Sequence, residues 1–195
     1  MFDIKNSCIL GLLIILFCAS CGQKPGAPAN VENTVSRDIE NRNMQVVKIR
    51  DAIVNSDKKA IATMCDYAAL TKQNDIWFLM EREGICAESM QFGFTEEVLN
   101  KNYDNFFPPE VSATLSTIDM EAFDRSGFAQ SDTTIINEFE SGYTFIKSPS
   151  ATEVNILVNY NYIDNSSNVT ESTVSYVFRL NDKSKLMLQA ITIAG

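Results

Sequence analysis

Five cysteines and no histidine define the chemistry open to this chain. Without imidazole there is no Ser-His or Cys-His nucleophile, no imidazole acid–base step and no histidine-ligated zinc. Carboxylates are plentiful, but none forms a matched catalytic pair. Glu81 and Glu83 lie near Trp77 in the sequence and could line a groove. Asp119, Glu121 and Asp124 share part of the spacing of a calcium loop, but the Gly and closing Glu of that loop are missing. A solvated acidic face is the default reading for both clusters. No phosphate loop or dinucleotide fingerprint occurs. The expectation is a protein that is not an enzyme, with no cofactor, no catalytic residue and no metal.

The aromatic residues offer binding rather than catalysis. Tyr160, Tyr162, Tyr176 and Phe178 recur on alternating positions and are candidate lining for a ligand cavity, although such residues more often form core. Trp77 and Phe78 are candidate contacts for a protein partner. The net charge is −9, with no run of basic residues. That balance repels a phosphate backbone, so nucleic acid is not an expected partner. It also disfavours docking on anionic lipid through side chains alone.

The elements that must position these residues follow from periodicity. Cys8–Ser20 carries no charge, follows Lys5 and ends in small residues, which suits the apolar core of a secretory signal. It is short for a membrane span, which takes about 20 apolar residues. Residues 22–32 are rich in Pro and Gly and read as a tether. A first helix is expected from Asn33 or Thr34 to Asn55, with Val35, Ile39, Val46, Val47, Ile49, Ile53 and Val54 on its inner side. Ser56 or Asp57 would cap a short second helix with Ala60, Ile61, Met64 and Cys65 inward. Asp75 would cap a turn running through Trp77. Thr95 would cap a helix from Glu96 to about Asn105, with Phe94 and Leu99 as a hydrophobic staple. Residues 111–118 fit either a helix or a strand.

Beyond Pro109 the period becomes alternating. Strands are expected over Thr133–Phe139 and Tyr143–Lys147. In the next, Val154, Ile156, Val158, Tyr160 and Tyr162 share one face, and Asn155, Asn159 and Asn161 mark the other. Val174, Tyr176, Phe178 and Leu180 repeat the pattern, and Leu186–Ala194 closes a meander. Asn165 and Asn168 match the glycan acceptor pattern and mark an exposed turn. Helices first and a meander last predict an α+β fold, with N-terminal helices packed on a curved antiparallel sheet.

Two stretches resemble known families. Phe17-Cys18-Ala19-Ser20-Cys21 resembles the bacterial lipoprotein signal, in which a cysteine after two small residues becomes the lipidated first residue. Cys18 departs from the aliphatic residue usual at that position. The resemblance implies lipidation at Cys21, a signal peptide over 1–20, a tether over 21–33 and one domain over 34–195. With Gly22 rather than Asp after the cysteine, it also implies the outer membrane, facing the periplasm. Once Cys21 carries lipid, and Cys8 and Cys18 leave with the signal, Cys65 and Cys86 remain as a pair. In an exported chain they read as a disulfide, closing a loop of about 20 residues and contributing on the order of 3 kcal/mol. The alternative is two buried free thiols.

The order of elements after residue 40 resembles the NTF2-like cone. Asp57-Lys58-Lys59-Ala60-Ile61-Ala62 is similar to the start of the second helix in that group. Phe178-Arg179-Leu180, the Asn-Asp turn and Lys185-Leu186-Met187-Leu188 are similar to its last hairpin. That fold serves both enzymes and binding proteins, and a cystatin-like sheet would share much of the pattern. The reading is therefore an anchored envelope lipoprotein whose domain binds a protein partner or small ligand. The alternatives are an enzyme or ligand-binding protein using a carboxylate in the cone, or an inhibitor of a secreted toxin or lysozyme.

Overall fold

The computed structural model describes residues 31–73, 75–77, 93–137, 140–163 and 168–194, with side chains from residue 37 onward and that of Asn137 excepted. Cys21, Phe78, Glu81, Glu83, Cys86 and Asn165 lie outside the described residues. Glu32–Gly195 cluster as one unit.

The first helix, α1 (Val31–Val54), forms around the expected apolar positions. Val46, Ile49, Ala52 and Ile53 are buried at helical spacing. Ile39, expected inward, is instead 41 % exposed. Asp57 caps α2 (Lys58–Ala62), its Oδ1 accepting the Ala60 N–H at 2.9 Å. Asp66 caps α3 (Tyr67–Leu70) in the same way.

Thr95 caps α4 (Glu96–Lys101), with Phe94 and Leu99 both buried as a staple requires. The helix expected to run to about Asn105 breaks at Asn102, whose backbone leaves the helical region and whose side-chain amide turns back to the Val98 carbonyl. A separate turn, α5 (Tyr103–Phe106), follows. The stretch compatible with helix or strand is helix α6 (Pro109–Ser116), opened by Pro109 at its first position, where a missing N–H costs nothing. Asp119 then caps α7 (Met120–Ser126), and Gly127 ends it in the left-handed region at φ +70°.

The strands are β1 (Phe128–Gln130), β2 (Thr134–Asn137), β3 (Glu140–Ser150), β4 (Glu153–Ile163), β5 (Val169–Leu180) and β6 (Leu186–Ala194). All pair antiparallel in one six-stranded sheet. β3 to β6 make the expected meander, while β1 and β2 share the outer edge of β3. At the opposite edge, residues 64–66 extend the sheet. Leu188 N–H donates to the Met64 carbonyl at 2.7 Å, and Asp66 N–H donates to the Leu188 carbonyl at 2.9 Å.

The α+β class is thus as the sequence predicts. Helices pack on the inner face of the sheet. Ile146, Val154, Ile156, Val158, Tyr176, Phe178 and Leu188 meet Ile49, Ile53, Phe106, Phe107 and Leu115 in one core. A buried hydroxyl pair, Thr114 and Thr144 at 2.6 Å, joins α6 to β3.

A candidate binding face on the outside of the sheet

Two of the four residues expected to line a cavity are packed into the core on the inner face. Tyr176 and Phe178 are each 1 % exposed. The Tyr176 ring stacks on Phe107 at 5.1 Å, and its hydroxyl donates to the Phe106 carbonyl. Both are core, and burial pushes the Tyr176 phenol well above its ordinary pKa. Tyr160 and Tyr162 are half-buried and stack on one another at 6.3 Å further along β4. The Tyr160 phenol is also raised, first by burial and then by Glu110, Tyr162 and Glu140 nearby. The four residues therefore split into a packed pair and a rim pair.

The other sequence candidates also fall apart in space. Trp77 is half-buried against the core and its indole N–H donates to the Thr71 carbonyl at 3.3 Å. Asp75, expected as a cap, instead accepts the Ile193 N–H at 3.0 Å and ties its turn to β6. Asp119, Glu121 and Asp124 are exposed. Asp119 caps α7 through the N–H groups of Glu121 and Ala122, and Arg125 lies 3.8 Å from both Asp119 and Glu121. No group of metal-ligating side chains occurs among the described residues. Cys65 carries a free thiol, 5 % exposed, which donates to the Ile61 carbonyl at 3.4 Å. Cys86, the partner expected for a bridge, lies outside the described residues. Burial pushes the Cys65 thiol up to about 12.

The outer face of the sheet presents a different surface. Register and strand alternation fix its composition. Phe128, Lys147, Asn155, Val177 and Ala190 lie in one row across the strands. Gln130, Phe145, Leu157, Ser175 and Thr192 form the next, and Tyr143, Asn159, Thr173 and Ala194 the one after. Phe128 and Phe145 meet at 5.8 Å between ring centres, and Tyr143 stacks on Phe145 at 6.4 Å. Lys147 Nζ sits 5.9 Å from the Phe145 ring.

Between these aromatics and Val177 lie two amides that are incompletely paired. Asn159 is 8 % exposed; its Oδ1 accepts from Thr173, while its Nδ2 has no partner. Asn155 Oδ1 is likewise buried without a partner. Such groups cost on the order of 1–3 kcal/mol each when left unpaired. Among the described residues no side-chain hydrogen bond or ring contact of this face reaches a helix; only the Phe128 backbone does, its N–H donating to Ser126 Oγ at the end of α7 at 3.2 Å and its carbonyl accepting from that hydroxyl at 2.8 Å. The face is almost neutral, since Glu153 and Arg179 pair at 2.8 Å along its border. It is an aromatic and amide surface, suited to packing and hydrogen bonding rather than to charge attraction.

The asparagines of this face were visible in the sequence as the polar side of β4. Phe128, Tyr143 and Phe145 were not singled out. The signal for them was the alternation of Tyr143, Phe145 and Lys147 against Thr144 and Ile146. No protein-family model matches this chain, and no curated protein matches it in sequence.

Proposed function

We propose that this chain is a non-catalytic lipoprotein of the cell envelope, anchored through Cys21, which binds a protein partner through the outer face of its sheet. The observation that carries the reading is the aromatic ladder Phe128–Phe145–Tyr143 beside two incompletely paired amides, with the helices packed on the inner face. A partner that packs apolar side chains on the ladder and offers a donor to Asn155 Oδ1 and an acceptor to Asn159 Nδ2 would remove both penalties. The absence of histidine supports a binding role over acid–base catalysis. The anchor rests on the resemblance of residues 17–21 to the lipoprotein signal. Among the described residues no helix is long and apolar enough to cross a membrane.

The test is crosslinking and capture of the full chain from native membranes, beside Cys21→Ser, Phe145→Ala and Phe128→Ala. The expected result is a specific partner with the parent chain, strong loss in both phenylalanine variants, and release of Cys21→Ser from the membrane. Phe128 is 46 % exposed, so its variant folds even if Phe145→Ala is weakened. A partner retained by both phenylalanine variants would overturn the face, and a Cys21→Ser chain still held in the membrane would overturn the anchor.

A further inference from the structure

A second site lies away from the outer face, where α1 meets the turn between β5 and β6. A groove of about 460 Å³ opens there. Its rim is polar, formed by Asn41, Gln45 and Lys48 of α1, Thr63, and Lys183 and Lys185 of the turn. Its floor is apolar, formed by Ile49, Met64, Leu186 and Met187. Three lysines and no carboxylate line it, in a chain of net charge −9. Among the described residues none of the three lysines makes an ion pair, although four ion pairs form elsewhere. Asp182 belongs to the turn but not to the lining.

The lysines stand on a braced backbone. Gln45 grips the turn from both sides, its Nε2 donating to the Ser184 carbonyl at 3.0 Å and its Oε1 accepting the Leu186 N–H at 2.8 Å. Asn181 Oδ1 accepts the N–H groups of Lys183 at 2.9 Å and Lys185 at 3.0 Å. Ser184, between them, is held in the left-handed region at φ +56°, which a non-glycine residue rarely adopts. Asn41, Gln45 and Lys48 follow one another at helical spacing, so the helix presents a single polar face to the turn.

We propose that this groove binds a phosphate ester, with its phosphate among Lys48, Lys183 and Lys185 and its apolar body on Met64 and Met187. Three compact ammonium groups with amide and hydroxyl neighbours surround an anion with oxygens on every side. A planar carboxylate is better matched by the fork of an arginine, and none lines the groove. The size lies within the range of small-molecule sites, about 300–1,000 Å³, and exceeds the need of a bare inorganic anion. A soluble ester and a phospholipid headgroup share this chemistry.

The test titrates the full chain with phenyl phosphate and with inorganic phosphate by calorimetry. In parallel it measures sedimentation with phosphatidylcholine vesicles with and without phosphatidylglycerol. The comparison variants are K48Q/K183Q/K185Q and, with the same loss of charge at exposed positions elsewhere, K59Q/K72Q/K101Q. Phenyl phosphate is expected to bind more tightly than inorganic phosphate and to weaken roughly tenfold or more in the groove variant alone, with an affinity that falls as salt rises. Lysine-dependent binding to phosphatidylglycerol vesicles in place of phenyl phosphate assigns the headgroup as the source. No binding of either probe, or equal loss in the two triple variants, overturns the site. Phe145→Ala leaves phosphate-ester binding unchanged, so this result and the partner result stand or fall separately.

Discussion

Two buried tyrosines show how differently the same hydroxyl can act. The Tyr176 hydroxyl donates to the Phe106 carbonyl at the point where α5 meets β5, whereas the Tyr103 hydroxyl is buried with no partner. Removing the first leaves a buried carbonyl unpaired; removing the second removes an uncompensated polar group. Tyr176→Phe is therefore expected to destabilise the fold by about 1–2 kcal/mol, and Tyr103→Phe to be neutral or stabilising. The Lys58 ammonium, 5.1 Å from the Tyr103 ring centre, keeps its contact in the phenylalanine variant. Urea unfolding of the two variants beside the parent chain decides the matter; equal losses would show that the Tyr103 hydroxyl has a partner after all.

At the scale of elements, caps and alternation carried most of the information. Asp57 and Thr95 begin helices where their side chains predicted, and β4 places its asparagines opposite its core residues. What escaped the sequence depended on contacts distant along the chain. The short α7 was hidden because Asp119, Glu121 and Asp124 read as an acidic cluster, while Asp119 and Glu121 open a helix whose dipole and free N–H groups favour acid at that end. The lysine groove was invisible because Lys48 is far in sequence from Lys183 and Lys185, so charge runs could not reveal it. The aromatic ladder needed the pairing of β1 with β3, and β1 is only three residues long. The cap gives an element-scale prediction. Asp119→Ala is expected to cost about 0.5–2 kcal/mol, with the loss in amide exchange protection concentrated in α7 and β1. A uniform loss across the sheet would instead assign Asp119 a role in the core.

For the whole molecule, the buried acids that ionise at high pH set a direction for stability. Burial pushes Cys65 from 9.0 to about 12, and pushes Tyr103 from 10.0 to about 12, with Asp104 adding to the effect on Tyr103. Tyr67, Tyr160 and Tyr176 are raised as well, each chiefly by burial. In the unfolded chain these groups lose their protons near their ordinary values, while in the folded chain they hold them. Between those limits the unfolded state binds fewer protons, so stability must fall as pH rises. It is fully present below about pH 9, declines first through Cys65 and then more steeply as the tyrosines enter, and continues to decline to pH 12 and beyond. Cys65→Ala should remove the onset between pH 9 and 10 and leave the tyrosine-driven fall in place. The same burial keeps the thiol protonated and enclosed at neutral pH, so iodoacetamide should modify Cys65 only when the fold opens. Melting temperatures across pH 7 to 12 for the parent and the alanine variant measure the first effect, and mass spectrometry after brief alkylation measures the second. Rapid labelling of Cys65 in the folded chain, or a parent stability that is flat through pH 11, would show that α2 and β6 open far more readily than their packing implies.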